Sequence, residues 1–163
     1  MAVTGARLMR FYSFTNYYLS SIQIGIQTAH ALGEMVAKYQ ILSNGASKVC
    51  YEWLHNHKTM VLLNGGNSQD LRDLWTLLSD ERNTFFPVSK FSEDEQSLDG
   101  ALTCIAIVLP EELYSAEWIK PGTNGNDVGY WWYETDKEFG YGKQIRGWEA
   151  ELLTVIKRLP LAR

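Results

Sequence analysis

The pattern of apolar and polar positions predicts alternating strands and helices over the first two thirds of the chain. Residues 8–14 are rich in aromatic side chains and predict a strand. Two serines that can cap a helix follow, and apolar positions then recur at helical spacing to about Gln40. These positions are Ile22, Ile26, Ala29, Leu32 or Gly33, Val36 and Ala37. The pattern therefore predicts a strand followed by a long helix.

The next segments extend this order. A second helix is predicted over 46–56, and the nearly continuous apolar run 58–63 predicts a strand at a central, doubly covered position. Ser68 is a candidate N-cap for a helix over about 69–83. Residues 85–91 predict an edge strand because Pro87 interrupts them, and 101–109 predict a buried strand. The predicted order is β-α-α-β-α-β-β, an α/β domain.

After residue 113 the pattern changes. A glycine-rich loop over 120–129 precedes four consecutive aromatic residues, 130–133. Side chains alternate along a strand, so some of these rings must be exposed or covered by a partner. A final helix is predicted over 147–159, with Trp148, Leu152, Ile156 and Leu159 on one stripe. We expect a domain over 7–113 and an aromatic-rich strand and helix extension over 114–163 that packs on it.

Composition narrows the functional classes. The 163 residues carry a formal net charge of −4, which argues against a broad phosphate-binding surface. Cys50 and Cys104 lie in apolar contexts and are interpreted as reduced core residues of a cytoplasmic protein. Their spacing to histidines does not fit a zinc site. No apolar run approaches the length of a membrane span, and the N-terminus lacks the apolar core of a signal peptide.

Two polar side chains stand out on the first helix. Gln27 and His30 are three residues apart and share a face among small and apolar residues. A histidine near a sheet's carboxyl edge can act as an acid, a base or a hydrogen-bond donor. The alternative is a structural histidine bonded to a backbone carbonyl, and spacing alone favours that alternative.

A second candidate segment runs from Phe91 to Ala106. Four carboxylates (Glu93, Asp94, Glu95 and Asp99) precede a buried strand that carries Thr103. Such a loop is commonly a solvated surface. Carboxylates beside a histidine can also hold the imidazole in one tautomer or act as a base.

Together these segments resemble the peptidyl-tRNA hydrolase type 2 family. The resemblance rests on Gln27-Thr-Ala-His30-Ala, on the acidic loop followed by the Thr103 strand, and on the element order between them. It covers roughly residues 7–110. It implies a single three-layer domain, a small mixed sheet with helices on both faces. It also implies hydrolysis of the ester between a peptide and the terminal ribose of tRNA, without metal or organic cofactor.

The resemblance assigns roles to individual residues. His30 would orient or polarise the ester or a water, and Glu93 or Asp94 would act as the general base or pair with His30. Thr103 and Gln27 would bond the reacting carbonyl or the ribose. Gln23 occupies the position where the best-known members carry a substrate-binding Lys, and the loop lacks their Arg. Both departures remove charge that could steady a phosphate or an oxyanion.

These departures leave a second function open. The chain could be a catalytically degenerate protein of this fold that binds a protein or a nucleic acid. The interaction residues would then be Tyr130 and Trp132 in the aromatic extension. The expected partners are tRNA or peptidyl-tRNA for the enzyme, a protein through the extension for the alternative, a second copy of the chain as a homodimer, and no membrane.

Overall fold

The computed structural model describes residues 8–41, 43–94, 96 and 100–162. They form two compact units. The larger unit contains residues 9–109 and 159–162, and the smaller unit contains residue 8 and residues 110–158. The sequence places the end of the first domain at residue 113, whereas the two units divide between residues 109 and 110, and residues 159–162 return to the larger unit.

The larger unit is built on a four-stranded mixed sheet in the order β2-β1-β4-β3. Its strands are β1 (Met9–Thr15), β2 (Thr59–Asn64), β3 (Val88–Ser92) and β4 (Leu102–Pro110). β1 and β2 are parallel, whereas β3 and β4 are antiparallel. The predicted α/β class is confirmed, and the predicted element order matches the structure.

Helices pack on both faces of this sheet. On one face, α1 (Ser21–Tyr39) and α2 (Gly45–Glu52) bury Met35 and Cys50 against Phe11 and Ala106. Phe14 alternates to the opposite face, where α3 (Ser68–Leu78) buries Leu71, Leu74 and Leu78. α2 continues into a π-helical turn, Trp53–His57. The sheet therefore lies between two helical layers.

The buried face of α1 differs from its apolar stripe. Ser20 caps the helix as predicted, but the buried residues are Ile24, Gln27, Thr28, Ala31, Met35 and Tyr39. Ile22 and Ile26, which belong to the apolar spacing, are 76% and 49% exposed. The polar residues can be buried because they have partners: Thr28 Oγ1 lies 3.0 Å from Ser13 Oγ of β1.

Three other predictions need correction. β2 is an edge strand of the four-stranded sheet, not a central one, and its first residues are exposed. Its apolar run nevertheless resembles that of a central strand because β1 pairs with it on one side and Leu161 forms a bridge to Leu63.

The N-cap of α3 is Asn67 rather than Ser68, since Asn67 Oδ1 accepts hydrogen bonds from the backbone N–H groups of Gln69 and Asp70. α3 ends at Leu78, before the predicted residue 83. β3 is an edge strand as predicted.

The smaller unit contains a three-stranded antiparallel sheet, β5 (Glu117–Ile119), β6 (Tyr130–Asp136) and β7 (Tyr141–Ile145), in that order. Its helices are α4 (Glu111–Tyr114) and α5 (Gly147–Ile156). Trp131 of β6 is buried, and its Nε1 donates to Thr154 Oγ1 of α5 at 3.1 Å. The prediction that the four aromatic residues cannot all point inward is confirmed. Leu159 lies beyond the end of α5, so it is not part of the helical stripe.

Two further sequence predictions concern the chain as a whole. Within the described residues, no helix has the length and apolar character needed to cross a membrane. Cys50 and Cys104 are both buried free thiols, as predicted.

Candidate functional site

The candidate residues of the larger unit gather at one edge of its sheet. The backbone N–H of Asn16, just after β1, donates to the carbonyl of Thr103 at the start of β4. The N–H of Glu111, just after β4, donates to the carbonyl of Leu8, just before β1, so these neighbouring strands are antiparallel. Because β3 is in turn antiparallel to β4, the carboxyl ends of β1, β2 and β3 share this edge with the start of β4. Polar groups from distant parts of the sequence therefore meet here.

A hydrogen-bonded chain of three side chains forms the centre of the site. Thr103 Oγ1 donates to Gln27 Oε1 at 2.7 Å, and Gln27 Nε2 donates to Glu93 Oε1 at 2.5 Å. Thr103 is fully buried and Gln27 is 5% exposed, whereas Glu93 is only partly buried. The structure thus brings together three of the residues that the sequence singled out, one each from a helix, a strand and the acidic loop.

The chemistry of Glu93 and Thr103, the two end groups, determines which atoms donate and which accept in these two hydrogen bonds. An ionised carboxylate only accepts hydrogen bonds, so Glu93 must face the amide nitrogen of Gln27. The amide oxygen then faces Thr103, whose hydroxyl must donate. The amide of Gln27 consequently holds one oxygen of Glu93 in place, and Thr103 holds the amide. Its full burial makes Thr103 a positioning residue that acts through Gln27.

His30 lies one helical turn beyond Gln27 and is exposed. Its imidazole stacks on the ring of Phe91, with centroids 4.3 Å apart and an interplanar angle of 12°. Phe91 lies in β3, two residues before Glu93, and packs against the core of the larger unit. The structural alternative weighed for His30, a buried histidine bonded to a carbonyl, therefore does not describe an exposed, ring-stacked side chain.

Gln23 has a local structural role. Its Oε1 accepts a hydrogen bond from the backbone N–H of Ser20 at 2.9 Å, and its own N–H donates to Ser20 Oγ. This reciprocal pair is a capping box at the start of α1. The side chain that occupies the family's Lys position is therefore bonded to the helix terminus.

The acidic loop is anchored at both ends. The N–H of Glu93 donates to the carbonyl of Ala101 at 3.0 Å, and the N–H of Gly100 donates to the carbonyl of Asp94 at 3.2 Å. Asp94 is exposed. Glu95 and Asp99, the other two carboxylates of the sequence prediction, lie outside the described residues. The backbone bonds fix where the loop presents Glu93.

Sequence reasoning missed Asn16 at the same edge. The residue is 1% exposed, and its Nδ2 donates to Ser68 Oγ at 3.1 Å. Its Oδ1 is buried without a hydrogen-bond partner among the described residues. The signal in the sequence is a polar residue placed between a predicted strand and the cap of the following helix. Asn16 adds an acceptor to the polar edge.

Cys104 lies beside the site but does not offer a nucleophile. Burial raises the pKa of its thiol to about 12, against weaker opposing effects of hydrogen bonds from Thr28 and the Phe14 backbone. The thiol is thus protonated at neutral pH, and the reactive form of cysteine is the thiolate.

The second set of candidates lies in the smaller unit. Tyr130 and Trp132 are both partly exposed and lie on β6 two residues apart, so they share one face of the three-stranded sheet. Their ring centroids are 6.3 Å apart and their planes meet at 83°. Among the described residues, no group of three or more His, Cys, Asp or Glu side chains is arranged to hold a metal ion.

No protein-family model matches this chain, and no curated protein matches it in sequence. The resemblance to peptidyl-tRNA hydrolases of type 2 accordingly stays a prediction that rests on the two motifs and the element order.

Proposed function

We propose that the larger unit is a hydrolase similar to the type 2 peptidyl-tRNA hydrolases, acting on the ester between a peptide and the terminal ribose of tRNA. The observation that carries the proposal is the pair of hydrogen bonds that link Thr103 to Gln27 and Gln27 to Glu93, because they orient a carboxylate at the sheet edge. Under this proposal the partner is peptidyl-tRNA, the place of action is the cytoplasm, and no metal or organic cofactor takes part.

Each residue then has a distinct role. Glu93 is the general base that takes a proton from the attacking water, through the carboxylate oxygen that Gln27 does not hold. Gln27 and Thr103 position that carboxylate. His30, held by stacking on Phe91, donates a hydrogen bond to the ester carbonyl or to the ribose. Asp94 is the alternative base, because it adjoins Glu93 on the same loop.

The direct test is release of the blocked amino acid from an N-blocked aminoacyl-tRNA. We expect Glu93→Gln to lower the rate by about 100-fold or more, the usual contribution of a general base. Asp94→Asn, measured in parallel, decides between the two carboxylates. Glu34→Gln is the matched control because Glu34 is exposed on α1, one turn beyond His30.

His30→Ala, measured in the same assay, tests the second role. No release by the wild-type protein, at a concentration where a genuine family member completes the reaction, would refute the proposal. A rate that Glu93→Gln and Asp94→Asn both leave unchanged would refute the assignment of the base.

A second candidate function is a binding protein with a silent hydrolase site. Residues 11–37 contain no Lys or Arg, and Gln23 is bonded into the helix cap. This segment thus supplies no cation that could steady a phosphate. On this reading Tyr130 and Trp132 bind a partner. Replacing both with Ala should remove that partner in a pull-down from the native host, and an unchanged partner profile would argue against this candidate.

A further inference from the structure

The three-stranded sheet of the smaller unit has two unlike faces. Trp131 and Ile145 are paired across β6 and β7 and are both buried. On the other face, Glu117 pairs with Trp132, and Ile119 pairs with Tyr130. Strand alternation adds Glu134 to this second face, two residues beyond Trp132. One face is therefore core, and the other carries aromatic rings between carboxylates.

A cavity of about 850 Å³ lies over this second face. It is large enough for a small organic ligand or the end of a long side chain. Its lining includes Glu111, Glu117, Tyr130, Trp132, Glu134 and Lys137. All of its lining residues belong to the smaller unit.

The two rings in this cavity form walls at right angles, with planes that meet at 83°. Gly142 of β7 fixes the indole of Trp132: a Cβ there would lie 2.6 Å from ring atoms of Trp132. The indole thus lies directly on the backbone of the neighbouring strand. This close approach restricts the position of the Trp132 indole before any ligand binds.

The charges around the rings are mainly negative. Three carboxylates line the cavity, those of Glu111, Glu117 and Glu134, together with two lysines. One of the two, Lys157, directs its ammonium to the backbone carbonyl of Tyr114. Three carboxylates against two lysines leave the lining with an excess of one negative charge. A cation is therefore favoured over a phosphate or another anion, and the faces of aromatic rings add attraction for a cation.

We propose that this cavity binds an organic cation that carries an alkylated ammonium group. The rings of Tyr130 and Trp132 contact the alkyl groups and attract the charge through their faces, while Glu117 and Glu134 flank them. An alkylated ammonium suits ring walls because it needs no hydrogen-bond acceptor on those sides, unlike a bare ammonium. The proposal does not depend on hydrolysis by the larger unit.

Titration calorimetry on the full chain tests this with choline chloride and with 3,3-dimethylbutan-1-ol, the uncharged molecule of the same shape. Because the two probes differ in charge, a cation–π site should bind choline roughly tenfold more tightly. Equal affinity for the two probes, or no binding of choline at millimolar concentration, would overturn the proposal.

Variants locate the site. Trp132→Leu should abolish choline binding, and Glu117→Gln, at an exposed position, should weaken it several-fold. Phe139→Leu is the matched control, since Phe139 is an exposed aromatic residue of the same unit outside the cavity lining. Choline affinity that survives both Trp132→Leu and Glu117→Gln, or that falls equally in the control, contradicts the assignment.

A further arm identifies the source of the cation. A short peptide that contains trimethyllysine is titrated beside choline. Tighter binding of the peptide identifies a protein side chain as the ligand, and tighter binding of choline identifies a small molecule. In both cases the same peptide with unmodified lysine should bind more weakly, and equal binding of the two peptides would refute the preference for the alkylated group.

Discussion

The hydroxyl of Thr103 offers a quantitative test of the hydrogen-bonded chain. Thr103→Val removes the hydroxyl but keeps the shape of the side chain, so it leaves no cavity. Gln27 Oε1, now without its donor at 2.7 Å, stays buried in a residue that is 5% exposed. Leaving a buried acceptor unsatisfied costs about 1–3 kcal/mol. For a chain of this size that loss lowers Tm by about 2–12 °C.

Thermal and urea denaturation followed by circular dichroism measure the change. Thr103→Ser is the control that keeps the hydroxyl and removes the methyl group. In the double variant Gln27→Leu, Thr103→Val, both partners are removed together, so the two changes should be non-additive by about 0.5–3 kcal/mol. Stability of Thr103→Val within about 0.5 kcal/mol of wild type, or simple additivity in the double variant, would refute the reasoning.

Three other predictions concern separate parts of the molecule. Gly65→Ala would place a Cβ 2.5 Å from Cδ2 of the fully buried Leu71, so we expect a loss of about 1–3 kcal/mol in urea denaturation; an unchanged midpoint would contradict this. The Cys104 thiol, with a pKa raised to about 12 by burial, should resist iodoacetamide at pH 8 in the native protein and react on unfolding, as mass spectrometry can show. Trp131→Phe removes the indole bond to Thr154 and should cost about 1 kcal/mol, read from hydrogen exchange of the smaller unit; unchanged protection would exclude a stabilising bond.

The order of the elements could be predicted because its signals are local. Apolar spacing, the Ser20 cap and the Pro87 interruption each act within a few residues, and each corresponds to an observed feature. The capping role of Gln23 was also present in the sequence, since Ser20-x-x-Gln23 fits the capping-box pattern. The resemblance to the hydrolase family instead predicts a substrate-binding role for Gln23, which the capping box does not require.

The buried face of α1 could not be predicted in the same way. Ile22 and Ile26 are more apolar than Gln27 and Thr28, yet the latter two are buried. The difference comes from partners distant in sequence: Glu93 lies 66 residues from Gln27, and Ser13 lies 15 residues from Thr28. Apolar spacing shows that a helix forms, whereas its orientation depends on which polar groups the sheet can satisfy.

The edge position of β2 escaped prediction for a related reason. Its apolar run resembles that of a central strand because the chain itself covers the open side. The N–H of Asn64 donates to the carbonyl of Pro160, and the N–H of Ala162 donates to the carbonyl of Leu62. This pairing partner lies almost a hundred residues downstream, beyond the reach of a local pattern.

The return of residues 159–162 to β2 has a practical consequence for aggregation. An unpaired strand edge is a template for pairing with other molecules. A fragment that stops near residue 113 would discard the returning segment and expose the backbone groups of Leu62 and Asn64. Such a fragment should self-associate more readily than the full chain, as size-exclusion chromatography can show. Residues 110–158 of the smaller unit thus lie in the sequence between the sheet of the larger unit and the segment that completes its edge.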